Sequence, residues 1–312
     1  MKNSQLLQFV LFCALSVGAR TICHAPPPPP PPAIRSEVEA ALAKAGGPTT
    51  SVGKFHVVLL ADKKDHKEYE HDYPLWQDRW ALLLGGQSAS TNSQVNLYGP
   101  AIADPKTGTG VSNVQILRAW NWPTEEQFAS ANVVVAFCYL QWNDERKHQL
   151  KQYLERGGGL VLVHSATWTK PKANEEVAAL TGVGGFTKFR HGTLELEITA
   201  TNHPICQGLP RQLSFLDESY WPPTPLITVE RITTLAASCE KTDEQTAPQP
   251  MFWTYQSGRG RVFGCVPGHY TWTFDNPWFR ILLLRGIAWA GNQPVTCLDS
   301  LVLRGAASAP CP

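Results

Sequence analysis

Short, strongly apolar segments that alternate with helical patterns constrain the fold of this chain most. Residues 55–60, 133–137 and 160–163 are apolar almost throughout, and residues 73–84 and 144–156 have helical patterns. A strand that is apolar along its whole length is typical of a parallel sheet covered by helices. We therefore predict an α/β fold with a parallel sheet and helices on both faces.

The pattern changes in the C-terminal half. Residues 194–198 alternate between apolar and polar side chains, and residues 233–237 and 251–255 are short apolar segments. Alternation of this kind is typical of strands with one solvated face. We predict extra β elements here, followed by a final helix over residues 277–290.

Composition argues against some classes of partner. The chain has 312 residues, of which 43% are hydrophobic, and its net charge is +1. This length supports one large globular domain, which we place at residues 54–292. The near-neutral charge provides no basic surface for nucleic acid, so a small-molecule partner is favoured.

The first residues have the pattern of an export signal. Lys2 precedes an apolar stretch over 6–17, and small residues around Ala25 suit cleavage. We predict a signal peptide over 1–25 and a periplasmic or secreted protein with no integral membrane domain beyond that segment. An uncleaved anchor is the alternative. Residues 26–53 form a proline-rich spacer with a short helix, and 293–312 form a C-terminal tail.

The cysteines offer one candidate disulfide. Cys297 and Cys311 both lie near the C-terminal tail, and an exported protein can oxidise such a pair. Cys138 and Cys265 lie within apolar segments, which predicts buried thiols.

Several histidines follow predicted strands. His164 comes directly after the strand at 160–163, His269 follows the strand at 261–266, and His66 and His71 follow the first strand. The carboxyl ends of parallel strands share one edge of a sheet, where ligands bind. Imidazoles near carboxylates suit Zn²⁺ or another divalent metal, and we name His66, His164 and His269 as candidate ligands. Each histidine taken singly is more often a hydrogen-bonded or surface residue.

Two adjacent carboxylates, Asp217 and Glu218, complete the predicted site. Neighbouring residues in a strand face opposite ways, so one carboxylate enters the cleft while the other makes a structural bond. A salt bridge to the proline-rich loop 222–225 is the alternative. His203, before a proline, is expected to cap a backbone group.

Six motifs point to a known family. They occur in the order 157–166 (GGGLVLVHSA), 203–205 (HPI), 216–220 (LDESY), 258–263 (GRGRVF), 268–269 (GH) and 286–290 (GIAWA). Together they resemble the ThuA-like, or trehalose utilisation, family, whose fold is similar to class I glutamine amidotransferases. The resemblance covers roughly residues 54–292. It implies a three-layer, flavodoxin-like parallel sheet.

The resemblance also implies an enzyme acting on a keto-disaccharide or related glycoside. His164, His269, Glu218 and Asp217 are then the candidate catalytic residues, and an isomerase, lyase or hydrolase reaction begins with acid/base chemistry, with or without a metal. The candidate substrate-binding residues are His66, His71, His191, Tyr220 and Trp168.

Two alternatives remain open beside this enzyme. Glutaminase chemistry is disfavoured, because His164 and Ser165 stand where the amidotransferases carry a nucleophilic cysteine. An amidohydrolase that uses Ser165 or Cys138 is one alternative. A non-catalytic carbohydrate-binding or accessory protein with the same fold is the other.

Overall fold

A computed structural model describes residues 27–50, 53–85, 94–102, 110–225 and 230–310 of the chain. The predicted signal peptide at 1–25 and Cys311 lie outside the described residues. Within those ranges, no helix has the length and apolar character needed to cross a membrane.

Six α-helices are described. They are α1 (Arg35–Lys44), α2 (Tyr73–Gly85), α3 (Glu125–Ser130), α4 (Asp144–Glu155), α5 (Glu175–Thr181) and α6 (Pro277–Ala290). Thr124 caps α3 through a reciprocal capping box with Gln127. Helix α6 has the predicted bounds, whereas α5 was not predicted.

Eleven strands accompany these helices. They are β1 (Ala33–Ile34), β2 (Phe55–Ala61), β3 (Val114–Trp120), β4 (Val133–Ala136), β5 (Gly159–Val163), β6 (Lys188–Ile198), β7 (Gln212–Trp221), β8 (Thr233–Lys241), β9 (Thr246–Ser257), β10 (Gly260–Cys265) and β11 (Ser308–Ala309).

The central sheet is mixed, with the strand order β3-β2-β4-β5-β10-β9-β8-β6-β7. The pairs joining β3, β2, β4, β5 and β10 are parallel. The pairs joining β10, β9, β8, β6 and β7 are antiparallel. The chain thus has a mixed α/β fold with a large central sheet and helices. The predicted parallel, three-layer flavodoxin-like sheet is corrected, because half of the strand pairs are antiparallel. The alternating pattern of the C-terminal half predicted extra β elements but not their antiparallel direction.

The antiparallel half bends away from a flat continuation of the sheet. Strand β6 pairs with β8 only over Leu196, Glu197 and Ile198, whereas it pairs with β7 over most of its length. The first part of β6 and the end of β7 therefore form a two-stranded ribbon. Because this ribbon is not paired with β8, it can lie over the carboxyl edge of β5 and β10.

Two buried ion pairs hold α6, one to the residues directly before the helix and one to the C-terminal segment. The Arg280 guanidinium lies 3.1 Å from the Asp275 carboxylate, and the Arg285 guanidinium lies 2.8 Å from that of Asp299. All four side chains are almost fully buried. Arg285 also donates to the carbonyl oxygens of residues 205 and 207. Burial of such charges is tolerated because each has partners.

The described thiols are unpaired. Cys138 and Cys265 are buried, as predicted. Cys297 is also free and buried, and the proposed bond to Cys311 lies outside the described residues. His203 accepts a hydrogen bond from the Ile205 amide, which confirms its predicted capping role.

Candidate functional site

Three histidines and one glutamate meet at the carboxyl edge of the parallel strands. His71 follows β2, His164 is the first residue after β5, and His269 follows β10. Glu218 comes from β7. Four strand spacings separate β10 from β7 in the sheet order, which in a flat sheet is about 19 Å. The curvature of the β6–β7 ribbon brings Glu218 into contact with the histidines.

The ligand atoms of this cluster are very close together. His164 Nε2 lies 2.8 Å from His71 Nε2 and 3.3 Å from His269 Nδ1. His71 Nε2 and His269 Nδ1 are 3.0 Å apart. Glu218 Oε2 lies 2.9 Å from His269 Nδ1 and 3.2 Å from His164 Nε2. All four side chains are buried. We call these four residues the His₃Glu cluster.

The opposite ring nitrogens of His71 and His164 fix which nitrogen of each ring carries hydrogen. His164 Nδ1 lies 2.6 Å from the Val266 carbonyl oxygen, so it donates, and Nε2 keeps a lone pair. His71 Nδ1 lies 3.0 Å from Asp65 Oδ1, which gives the same result for its Nε2. His269 Nε2 lies 3.8 Å from the Glu70 carboxylate, beyond hydrogen-bond distance. The lone pairs of His71 and His164 therefore point at each other, beside His269 Nδ1 and the Glu218 carboxylate.

A divalent cation fits this donor set. Two ligand atoms of a tetrahedral zinc site, each about 2.0–2.1 Å from the metal, lie about 3.3 Å apart. The observed separations of 2.8–3.3 Å are close to that value. Without a metal, a proton can form a hydrogen bond between only one pair of these atoms at a time. The remaining lone pairs then still face each other. Carboxylates behind His71 and His269 are the usual outer partners of metal-bound imidazoles.

The charges around the cluster shift its pKa values in opposite directions. Burial lowers the pKa of His71 to about 2, although its hydrogen bond to Asp65 opposes this shift. Burial also disfavours the charged form of His269, but the carboxylates of Glu218 and Glu70 outweigh it and raise the pKa to about 9. Burial likewise raises the pKa of Glu218, yet contact with His164 and His269 holds it well below its usual range. The metal-free cluster thus holds positive charge on His269 beside an ionised Glu218.

The backbone positions His71 against His269. The amide of His71 donates to the carbonyl oxygen of His269 at 3.0 Å, and the amide of Thr271 donates to that of Tyr69 at 2.8 Å. Both His71 and His164 have left-handed backbone conformations, with φ of 44° and 50°. Such conformations are uncommon for residues other than glycine and concentrate at functional sites.

Asp217 fixes the same loop from behind the cluster. Its Oδ1 accepts hydrogen bonds from the amides of Gly268 at 3.1 Å and His269 at 2.9 Å. Its Oδ2 accepts one from the Thr273 hydroxyl. The two carboxylates of β7 therefore separate as the strand alternation predicts: Glu218 joins the histidines, and Asp217 makes structural bonds.

A cleft of about 450 Å³ opens beside the cluster. Its wall contains charged and aromatic side chains in similar numbers. The lining residues are His66, Lys67, Glu70, Tyr139, Trp168, Lys170, Phe189, His191, Glu218, Tyr220 and His269.

The predicted substrate-binding residues lie at different depths. His66, His191, Trp168 and Tyr220 line the cleft, whereas His71 is buried within the cluster. The Tyr220 hydroxyl lies 2.8 Å from His164 Nε2 and donates to Glu218 Oε2 at 3.1 Å.

The cluster contains His164 and His269 of the three metal ligands predicted from sequence, together with His71 and Glu218. His66 is exposed, and its Nδ1 faces Asp65 Oδ1 at 2.7 Å. His71 takes its place beside His164 and His269. Both histidines follow the first strand, and the pattern of residues did not distinguish which one turns inward.

The geometry is accompanied by a family match. The sequence model of the ThuA family, described as trehalose utilisation, matches residues 106–290, more than half of the chain. The chain belongs to the ThuA family. His164, Glu218 and His269 lie within the matched range, and His71 precedes it.

Solved structures of ThuA-like proteins have the same fold. A ThuA-like protein from Bacteroides uniformis ATCC 8492 has a TM-score of 0.54 and 17% identity, over 77% of this chain and 91% of that chain. One from Parabacteroides merdae ATCC 43184 has a TM-score of 0.53 and 17% identity, over 83% and 93%. A comparison with curated proteins found no match.

Several residues of the site in this ThuA protein were missed by sequence reasoning. Asp65 and Tyr73 both contact His71 Nδ1, and Glu70 faces His269. The spacing of Asp65, Glu70 and His71 in one short loop was the available signal. Phe189 and Lys170 of the cleft wall had no distinguishing pattern in the sequence.

Proposed function

We propose that this protein is a metal-dependent enzyme that carries out acid/base chemistry on a keto-disaccharide or related glycoside. The His₃Glu cluster is the single observation that carries the proposal. Three imidazole nitrogens and a carboxylate converge at 2.8–3.3 Å in a buried position beside an open cleft. Structural metal sites are commonly closed, whereas catalytic sites border a space that admits substrate.

His71, His164, His269 and Glu218 would hold the metal. A bound divalent cation supplies Lewis-acid polarisation of a substrate oxygen and acidifies water or a neighbouring C–H group. His164 is fully buried, and both of its ring nitrogens are engaged, so its role is to hold the metal rather than to exchange protons with substrate.

If the histidines of the cluster hold the metal, proton transfer falls to other side chains that reach the cleft. His191 is partly exposed, and its Nε2 lies 3.6 Å from Glu218 Oε1. Its Nδ1 lies 3.2 Å from the Tyr270 hydroxyl, which orients the ring. A histidine held in this way is suited to move a proton to or from a bound sugar. Glu70 also lines the cleft, and its carboxylate lies 3.8 Å from His269 Nε2.

The carbohydrate substrate is supported by the family and by the cleft wall. The family description is trehalose utilisation. Trp168 and Phe189 present aromatic surface to the cleft, and a buried Tyr220 backs Trp168 with ring centroids 4.7 Å apart. Clefts with a few polar groups on an aromatic wall are typical small-molecule sites. Export to the periplasm or outside the cell is also proposed, on the signal-like pattern of residues 1–25.

Amidohydrolase chemistry is less well supported. Burial raises the pKa of the Cys138 thiol far above its ordinary value, and the reactive form of cysteine is the thiolate. Ser165 is fully buried beneath the cleft. A thiol-directed or serine-directed electrophile is expected to leave the folded protein unlabelled, and labelling at either residue would favour the hydrolase instead.

Elemental analysis combined with a substrate screen tests the proposal. Protein purified without chelator is expected to contain about one divalent metal per chain and to turn over 3-keto-disaccharides. His164→Ala is expected to lose metal and turnover, while the exposed His148→Ala is the control. A folded, metal-free protein that binds sugars without turnover, and whose binding survives His164→Ala, would favour the non-catalytic carbohydrate-binding alternative.

A further inference from the structure

The cleft beside the His₃Glu cluster contains two lysines that face no carboxylate. Lys67 and Lys170 both line it and both are exposed. Among the described residues, neither has a salt bridge to Asp or Glu, whereas Lys64 has one and Lys147 has two. Their positive charges are therefore available to a ligand.

The negative charges of the cleft are already used. Glu70 lies 3.8 Å from His269 Nε2, and Glu218 Oε2 lies 2.9 Å from His269 Nδ1. Both carboxylates thus face the cluster. The cleft also contains two exposed ammonium groups, those of Lys67 and Lys170. Ammonium groups without a carboxylate partner attract ligands of negative charge.

Lys170 is held in position rather than free to move. Its Nζ lies 3.5 Å from the centroid of the Tyr139 ring, a close cation–π contact. Tyr139 is itself fixed against His71, with ring centroids 5.8 Å apart. This contact places the ammonium over the cleft at little further cost in side-chain entropy when a ligand binds.

An apolar surface completes the recognition site. Phe189 is 59% exposed, which is unusual for a phenylalanine, and it contacts Trp168 edge-on with centroids 6.3 Å apart. Exposed apolar groups at the rim of a groove mark ligand-binding surfaces. A ligand that fits has a ring with an apolar face and carries negative charge.

We infer that the substrate is an anionic carbohydrate whose carboxylate or phosphate group is bound by Lys67 and Lys170. The inference rests on the proposed function, because it takes the same cleft as the substrate site. Phe189 and Trp168 contact the apolar face of the sugar ring. The Lys170 ammonium makes a charge-assisted hydrogen bond to the anionic oxygens.

Binding of three probes tests the inference. Glucuronate, glucose 6-phosphate and glucose are titrated by calorimetry at low ionic strength, once into zinc-loaded protein and once into metal-free protein. We expect at least one anionic probe to bind about tenfold more tightly than glucose, with the advantage shrinking in salt. The two anionic arms distinguish a carboxylate from a phosphate. Equal affinities for all three probes would overturn the inference.

Variants locate the anion. Lys170→Met and Lys67→Met keep side-chain length and remove the charge, and each is expected to weaken anionic binding about threefold or more without changing glucose binding. Lys172→Met, an exposed neighbour outside the cleft, is the matched control. Anion preference that survives the double variant would overturn the inference, because the anion would then bind elsewhere, for example at the metal.

The zinc content of each variant separates this inference from the proposed function. Lys67→Met and Lys170→Met are expected to retain wild-type zinc, because neither residue belongs to the His₃Glu cluster. Absence of zinc from the wild type would count against the metal-dependent enzyme, whereas the preference for anionic probes is measured independently in metal-free protein.

Discussion

His71 Nε2 and His164 Nε2 lie 2.8 Å apart, although 93 residues separate them in the chain. The Nδ1–H group of each ring donates a hydrogen bond to a different acceptor. For His71 the acceptor is the Asp65 carboxylate, and for His164 it is the Val266 carbonyl oxygen. The two lone pairs therefore face each other without a hydrogen between them. A cation placed between the rings relieves this repulsion.

Substitution of single histidines distinguishes metal ligands from neighbouring residues. We expect His71→Ala to weaken zinc binding at least about 100-fold, because it removes one of four ligand atoms. His66→Ala removes an exposed ring whose nitrogen faces Asp65 instead, and it is the matched control. Competition with a chelator measures both affinities. Equal loss in the two variants would argue for a site centred on Asp65 and His66 rather than on the His₃Glu cluster.

Zinc affinity is expected to fall as the pH is lowered. The carboxylates of Glu218 and Glu70 outweigh burial and raise the pKa of His269 to about 9, so below that pH the metal-free ring carries a proton that a metal must displace. Each unit of pH below about 9 then costs about tenfold in affinity. Burial lowers the pKa of His71 to about 2, so His71 adds no such dependence near neutral pH. A chelator competition between pH 6 and pH 10, corrected for the chelator's own protonation, measures the slope. A flat profile would contradict the assignment of His269 as a ligand.

The carboxylate behind His71 is expected to tune the site. Asp65→Asn keeps the shape of the side chain but removes the charge that faces His71 Nδ1 at 3.0 Å. Outer partners of this kind contribute about 10- to 100-fold to metal affinity. Asp62→Asn, in the same loop, is the control because Asp62 bonds to Lys63 and Asn121 instead. Unchanged affinity in Asp65→Asn would show that Tyr73, 2.8 Å from the same nitrogen, suffices to orient the ring.

Much of the parallel half could be predicted from the sequence. The strands that became β2, β4 and β5 are apolar throughout, and the residue after a buried strand is fixed at one edge of a sheet. That rule alone placed His164 and His269 together.

The antiparallel half could not be predicted in the same way. Glu218 reaches His269 because β6 leaves β8 after three residue pairs, and no local pattern records where a ribbon separates from a sheet. The choice of His71 over His66 has a similar origin. It depends on backbone pairing between the segments at Glu70 and Tyr270, which are 200 positions apart.

The buried pair of Arg285 and Asp299 is expected to contribute strongly to stability. Asp299→Asn removes the partner of a guanidinium that is fully buried, and an uncompensated buried charge costs about 3–5 kcal/mol in the free energy of unfolding. The exposed pair of Arg35 and Glu39 is the control, since Glu39→Gln is expected to cost less than about 1 kcal/mol. Urea denaturation of the metal-free protein measures both.

The carbonyl oxygens of residues 205 and 207 also accept hydrogen bonds from Arg285, so the loop at 204–206 should loosen together with the C-terminal segment. Increased hydrogen exchange in both segments of Asp299→Asn is therefore expected, and exchange confined to one of them would show that Arg285 does not link the two.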